Sequence, residues 1–319
     1  MNNHPQPPFP DISIVVPFYH GEKFIARLAG SLLASLKASS GKLIVELIVI
    51  IDAPGSDIST VSSLLGRVLD ETSPVRQIFL KNEVNLGVAA SRMRGQSVAT
   101  GKFLTFIDQD DFVGLSYFPV LEKNLSDTAG FLVLNGELED ESQHTRRPIL
   151  YYHNKLSFNK IARANFLITP SLLVFNTGRV RCDFRQVSAR HPGSDDWACY
   201  LELLSDKSVK YRFIGDRVIH YVIHEENYHH DKFNFLISQI RTIEYFQRKF
   251  PRNRTLKIKR LSLQFRLKLN LSMIRISRLT RGDVAGFVSL AYIELTSINN
   301  LIWLFRRFRT AAKAGRHQS

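Results

Sequence analysis

The sequence predicts an α/β fold built on a Rossmann-like, mostly parallel central sheet, followed by a helical and basic C-terminal extension. Three observations carry this. Apolar runs alternate with amphipathic stretches over residues 12–107, with short links between them. Several of those runs stop at polar or acidic residues, and open α/β sheets hold their ligands at the carboxyl ends of their strands. The charge is also uneven. From Pro251 onward there are 15 basic and 2 acidic residues, whereas the preceding chain holds 28 and 27. The expected division is a nearly neutral domain and a basic extension, with the boundary drawn at 1–230 and 231–319.

The elements follow in order. Ile12 to Val16 is an apolar strand ending at Pro17-Phe18-Tyr19-His20, and Glu22 to Leu36 has helical amphipathicity. Leu43 to Ile51 is a second strand, ending at Asp52, and Ile58 to Leu69 is a helix. Val75 to Leu80 is a third strand, Lys81 to Asn85 a loop, and Gly87 to Ala99 a helix of small residues carrying Arg92 and Arg94. Phe103 to Ile107 is the fourth strand, and Asp108-Gln109-Asp110-Asp111 follows at once. Three carboxylates in four residues repel one another and suit a hard cation such as Mg2+ or Mn2+, shared with a diphosphate.

Beyond Asp111 the alternation loosens. Leu115 to Leu125 reads as a helix, Phe131 to Leu138 and Ile149 to His153 as strands around a polar loop, and Thr169 to Phe175 as a strand. Val187 to Gly193 reads as a loop. Ser194-Asp195-Asp196-Trp197 then opens a helix over Ala198 to Leu204, where a capping residue and early acids are favourable. Tyr211 to Phe213 and Arg217 to Ile223 are strands, followed by His224-Glu225-Glu226-Asn227.

Composition narrows the class. A 319-residue chain with 44% hydrophobic and 11% aromatic residues can bury a full core. Its two cysteines, Cys182 and Cys199, form no CxxC and read as reduced packing residues of a cytosolic protein. The polar, proline-rich start, Met1 to Pro10, lacks the pattern of a signal peptide. There is no GxGxxG after the first strand and no GxxxxGK[ST], so neither dinucleotide nor P-loop binding is supported. What remains is a nucleotide-sized site made from Tyr19, Asp52 and the 108–111 cluster.

Four blocks together resemble the family 2 glycosyltransferases of the GT-A fold. Ile14 to His20 with Glu22 resembles the family's opening P-x-Y-N-x-E. Ile50 to Asp57 resembles V-D-D-G-S-x-D. Asn85 to Gly95, running on to Asp111, resembles N-x-G-x-x-x-A-R-N-x-G followed by the strand and D-x-D-D. Ser194 to Trp197 resembles the later E-D-W/Y. Ala53-Pro54, Met93 and His20 depart from these patterns.

The resemblance implies transfer of a sugar, with inversion, from a nucleotide-sugar to an acceptor hydroxyl. It implies Pro17, Tyr19, Glu22, Asp52, Arg92, Asp108 and Asp110 around the donor, with a UDP-sugar expected. Asp110, Asp111 and His224 would hold Mg2+ or Mn2+, and Asp196 with Asp195 would supply the catalytic base. The acceptor would be a saccharide or lipid-linked saccharide of surface polysaccharide synthesis. A nucleotidyltransferase is the alternative enzyme, but residues 17–23 supply no Gly-rich basic loop. His220, His224, His229 and His230 fit no standard zinc spacing.

In the basic extension, Asp231 to Phe250 and Thr255 to Leu279 have helical patterns, though Leu261 to Leu271 also alternates as a strand would. Val284 to Phe305 is long enough to span a bilayer but carries Glu294, Asn299 and Asn300. With Arg306, Arg307 and Arg309 after it, it fits an interfacial helix on an anionic membrane, at the inner face of the cell membrane. The basic residues are interleaved with aliphatic rather than aromatic ones, and no nucleic-acid partner is expected.

Overall fold

The computed structural model describes residues 9–66, 69, 75–149, 156–184, 193–224 and 232–272. The first strands and helices fall where the pattern puts them: β1 Ile12–Phe18, α1 Glu22–Lys37, β2 Val45–Ile51, α2 Ile58–Gly66, β3 Val75–Lys81, α3 Val88–Val98 and β4 Phe103–Phe106. β1, β2 and β4 are buried along their whole length, as unbroken apolar strands covered on both faces should be. β1 pairs in parallel with β2 and with β4, and β2 with β3. The local strand order is therefore β3-β2-β1-β4.

Right-handed crossovers fix the layers. The chain moves one way through α1 and α2 and the other way through α3, so α3 covers the opposite face, against β1 and β2. That close approach needs Gly95, where a Cβ would lie 2.3 Å from Val15 Cγ1. The reversal leaves a switch point between β1 and β4, the place where such sheets bind ligands.

The second half is mixed rather than simply alternating. It contains β5 Phe112–Val113, α4 Tyr117–Asn124, β6 Phe131–Asp140, β7 Thr145–Pro148, α5 Phe158–Arg163, β8 Leu173–Asn176, α6 Asp195–Ser205 and β9 Tyr211–Ile223. β8 is antiparallel to β4 and β6, while β6 and β9 are parallel, and β5 closes the edge antiparallel to β9. Six strands of this nine-stranded sheet thus run one way among the described residues.

Several expectations are corrected. The polar loop before Ile149 contains β7, which pairs with β6. The predicted strand Thr169 to Phe175 begins as a 3-10 turn at Pro170–Leu172, because Thr169 accepts a bond from the Ser171 N–H and Pro170 cannot donate to a ladder. α5, capped by Ser157, was not expected. The two strands expected at 211–223 are one, with register shifts opposite Asn135. Residues 150–153 of the strand expected at Ile149 to His153, and residues 187–192 of the predicted loop, lie outside the described residues. So do 225–227, His229, His230 and all of 273–319.

The chain divides into two compact units, Met1–Phe246 and Gln247–Ser319. The division falls inside α7 Lys232–Lys249. In the second unit, α8 Arg254–Ser272 is helical despite its partial two-residue alternation. Among the described residues, no helix is long and apolar enough to cross a membrane.

Candidate functional site

Because β1, β2 and β4 are parallel, their carboxyl ends share one edge, and Tyr19, Asp52 and Asp108 to Asp111 gather there. Each is held differently. Asp52 is buried; its Oδ1 accepts from Asn82 Nδ2 at 2.6 Å and Leu86 N at 2.8 Å, and its Oδ2 from Gly87 N at 2.7 Å. It anchors the loop between β3 and α3. Pro17 is buried within β1, in register with Ile50. Glu22 is exposed in the first turn of α1, where its Oε1 accepts from Ser56 Oγ at 3.3 Å. Tyr19 is 50% exposed, with its ring edge-on to His20 at 4.5 Å.

The three acids after β4 part company. Asp111 is 1% exposed and turned into the fold. Its Oδ1 accepts from Val222 N at 3.2 Å, and its Oδ2 from Thr169 Oγ1 at 3.2 Å and Ser171 Oγ at 3.1 Å. Burial, then the charges of Asp110 and Asp108, push its pKa well above the usual carboxylate range. The long-range fold closes around it, through β9 and the turn at 169–171.

Asp110 stays partly open, its Oδ2 2.8 Å from His224 Nε2 at the end of β9. Sequence separation gave no hint of this pairing; the likeness to the family did. Arg27 Nη2 donates to the Asp110 carbonyl at 2.8 Å, tying α1 to the turn. A carboxylate oxygen and an imidazole nitrogen so close together are a donor set that suits a divalent metal ion.

Asp108 faces α3. Arg92 Nη2 donates to its Oδ1 at 2.5 Å, while Arg92 Nη1 donates to Asp195 Oδ2 at 2.7 Å. Burial disfavours the Arg92 charge, but Asp108 and Asp195 outweigh it and raise its pKa. Burial raises the pKa of Asp108, Arg92 lowers it, and Asp110 raises it again, for a net upward shift. One guanidinium thus joins the acid turn after β4 to the first turn of α6.

At that turn the two acids also divide. Asp195 is buried against Arg92, whereas Asp196 is only part-buried. Asp196 Oδ1 accepts from Trp197 N at 2.6 Å and Oδ2 from Asn165 Nδ2 at 3.1 Å. Burial and the neighbouring Asp195 push its pKa up to about 7. A carboxyl group balanced near neutrality can accept a proton. Ser194 stands at the N-cap with φ of 56° and makes no side-chain cap bond, so the expected capping role is confined to its position.

Sequence reasoning missed three residues here. Asn165 orients Asp196 from the loop after α5. Tyr221 on β9 is half-buried, and burial together with Asp111, Asp108, Asp110 and Asp196 raises its pKa. Gln109 bonds the backbone of Tyr19. Asn165 lies in no pattern that would have marked it, while Gln109 sits inside the acid turn and Tyr221 inside a predicted strand, where nothing local sets their partners.

A second acid–histidine group lies elsewhere. Glu137, Glu139 and His220 have ligand atoms within 4.8 Å of one another. However, Arg217 pairs with Glu137 at 3.3 Å, Arg146 with Glu139 at 3.1 Å, and His220 stacks flat on Phe112. Successive strand residues face opposite ways, so His220 points away from the face that Tyr221 shares with the acids.

Comparison with known proteins gives the chain a family and a fold. An uncharacterized glycosyltransferase of Haemophilus influenzae is 33% identical over 104 residues, covering 33% of this chain and 38% of that protein. The chain spans less than two fifths of the length of the curated relatives it matches. Staphylococcus aureus TarS 1–349 in complex with UDP-GlcNAc aligns with a TM-score of 0.51 at 14% identity, covering 81% of this chain and 80% of that one. The mannosyltransferase PcManGT from Pyrobaculum calidifontis, in complex with GDP-Man and Mn2+, aligns with a TM-score of 0.53 at 13% identity, covering 96% and 86%. These likenesses establish the GT-A fold. The model of the family described as Glycosyl transferase family 2 matches residues 13–182, more than half of the chain. The chain belongs to glycosyl transferase family 2.

Proposed function

We propose that this protein transfers a sugar, with inversion, from a nucleotide-sugar donor to an acceptor hydroxyl. The observation that carries the reading is the Arg92 bridge, which joins the acid turn after β4 to the acids opening α6. Sugar transfer from a diphosphate needs two acidic stations around one pocket, one for the leaving group and one for the incoming hydroxyl.

Tyr19 and the Asp52-anchored loop would receive the nucleoside, with Asp108 beside the ribose. Asp110 and His224 would hold Mg2+ or Mn2+, leaving Asp111 as a buried support. When bound, that ion would neutralise charge gathering on the leaving diphosphate. Asp196 would take the proton of the acceptor hydroxyl as its oxygen attacks the anomeric carbon. The new carbon–oxygen bond forms as the bond to the diphosphate breaks, and the nucleoside diphosphate leaves with the electron pair. Attack from the face opposite the leaving group gives inversion, through a state with oxocarbenium character. Asp195 would stay paired with Arg92 and, beside Asp196, keep it basic.

The UDP-GlcNAc and GDP-Man held by the two similar folds support a nucleotide-sugar donor, and a UDP-sugar is our choice. The basic stretch 251–319 supports attachment to an anionic membrane, with a lipid-linked saccharide acceptor in surface polysaccharide synthesis. The direct test is release of UDP or GDP from a panel of nucleotide-sugars with Mn2+, using Asp196→Asn as control. Absence of both release and nucleotide binding would overturn the reading.

A further inference from the structure

Gln109 stands between Asp108 and Asp110, yet its side chain leaves the acid turn and reaches β1. Its Oε1 accepts from Tyr19 N at 2.8 Å, and its Nε2 donates to Tyr19 O at 2.9 Å. A primary amide offers one acceptor and two donors in one plane, so it can satisfy both backbone groups of one residue. The match comes where β1 needs it. Backbone pairing between β1 and β4 ends at Val15 and Phe106, with a last bond from Ile107 N to Val15 O at 3.0 Å. Past that point the two chain ends separate, and Gln109 replaces the missing ladder.

Gly21 makes room for it. A Cβ there would lie 2.3 Å from both Gln109 Cδ and Oε1, and 2.6 Å from Nε2. Gly21 has φ of −106°, which any residue can adopt, so its own backbone does not demand glycine. The backbone of Tyr19 is thereby held while its ring stays half-exposed at the rim.

We propose that Gln109, seated in the space left by Gly21, is a positioning residue that sets Tyr19 relative to the acid turn and so fixes the width of the donor nucleotide pocket. This rests on the donor-site reading given above. Neither residue would touch the reacting atoms. Their loss would weaken nucleotide binding and leave turnover at saturating donor alone.

The test compares full-length wild type, Gln109→Ala, Gly21→Ala and the double variant. Binding of UDP and of GDP is measured by calorimetry with Mn2+ present, together with KM for the donor, kcat and thermal melting. Loss of two neutral hydrogen bonds should raise Kd and KM about tenfold. The change in kcat should stay within about twofold, as expected for uniform binding loss. The double variant should bind no more weakly than Gly21→Ala alone, because both changes remove one contact. Gln109→Met keeps the side-chain length but offers neither bond and should match Gln109→Ala; this arm stands even if Gly21→Ala fails to fold. Additive losses in the double variant, or wild-type affinity in Gln109→Ala, would overturn the clamp and leave the donor reading intact. Failure of wild type to bind either nucleotide would instead overturn the donor reading itself.

Discussion

Arg92 and Asp195 are 103 residues apart in sequence, yet their side chains meet at 2.7 Å in a buried ion pair. The same guanidinium holds Asp108 at 2.5 Å. Replacing it with an apolar residue would strand two carboxylates. Arg92→Met should therefore lose about 3 kcal/mol of stability near neutral pH, as broken buried ion pairs do. The loss should shrink as pH falls. Asp108 already has a raised pKa in the fold, so without Arg92 it gains a proton earlier as pH falls and the uncompensated charge disappears. Urea unfolding at several pH values measures this.

Asp196→Asn should lower turnover by about a hundredfold or more, the effect of losing a general base. Donor affinity should stay within about twofold, because the hydroxyl's proton is abstracted only in the transition state. Full activity in this variant would remove Asp196 from the mechanism.

The pH dependence has a definite sign. A base with a pKa of about 7 in the free protein must be ionised, so kcat/KM should rise through about pH 7 and level off above it. Stability should move the other way. The folded-state pKa lies above the ordinary value of 3.8, so between these values the folded state holds a proton that the unfolded chain has lost. Wild type therefore loses stability as pH rises from about 4 to 7, with the loss complete above that. Asp196→Asn lacks this slope, and its melting-temperature advantage should grow over the same window.

The acids of the β4 turn should separate by function. Asp110→Asn and His224→Ala should each weaken Mn2+ binding, measured in the presence of UDP, by at least about tenfold. Asp111→Asn should leave Mn2+ affinity largely intact and cost about 1–3 kcal/mol of stability, because it disturbs a buried acceptor held by Val222, Thr169 and Ser171. A large loss of Mn2+ affinity in Asp111→Asn would restore it as a ligand.

Membrane attachment through the basic extension predicts co-flotation with phosphatidylglycerol vesicles. Each Lys or Arg near such a surface contributes about 1 kcal/mol at low salt and less as salt screens it. Deleting residues 251–319 should abolish co-flotation, and salt should reverse it in the full chain. Equal binding to neutral vesicles would point to apolar insertion instead.

Much of this was legible from local pattern. Strand and helix periodicity put β1, β2, β3 and β4 in place, and parallel pairing follows from the helices between them. Once those strands are parallel, Tyr19, Asp52 and the 108–111 acids must share an edge. The Ser194-Asp195-Asp196 opening of α6 was equally readable, since helix starts favour such residues. What periodicity could not contain was the division of labour among like residues. Asp110 and Asp111 are neighbours of one chemical type. One is open beside His224 and the other enclosed, because β9 and the 169–171 turn arrive from distant parts of the chain. Asp195 and Asp196 divide in the same way, one held by Arg92 and the other left to Asn165. Gly21 reads in the sequence as an ordinary helix entry; its requirement comes from Gln109, across the sheet edge. Alternation and strand direction, both local properties of the chain, dictate which chemistry reaches the carboxyl edge. Only tertiary packing decided which carboxylates stay open to act, because burial and long-range partners set both their accessibility and their pKa.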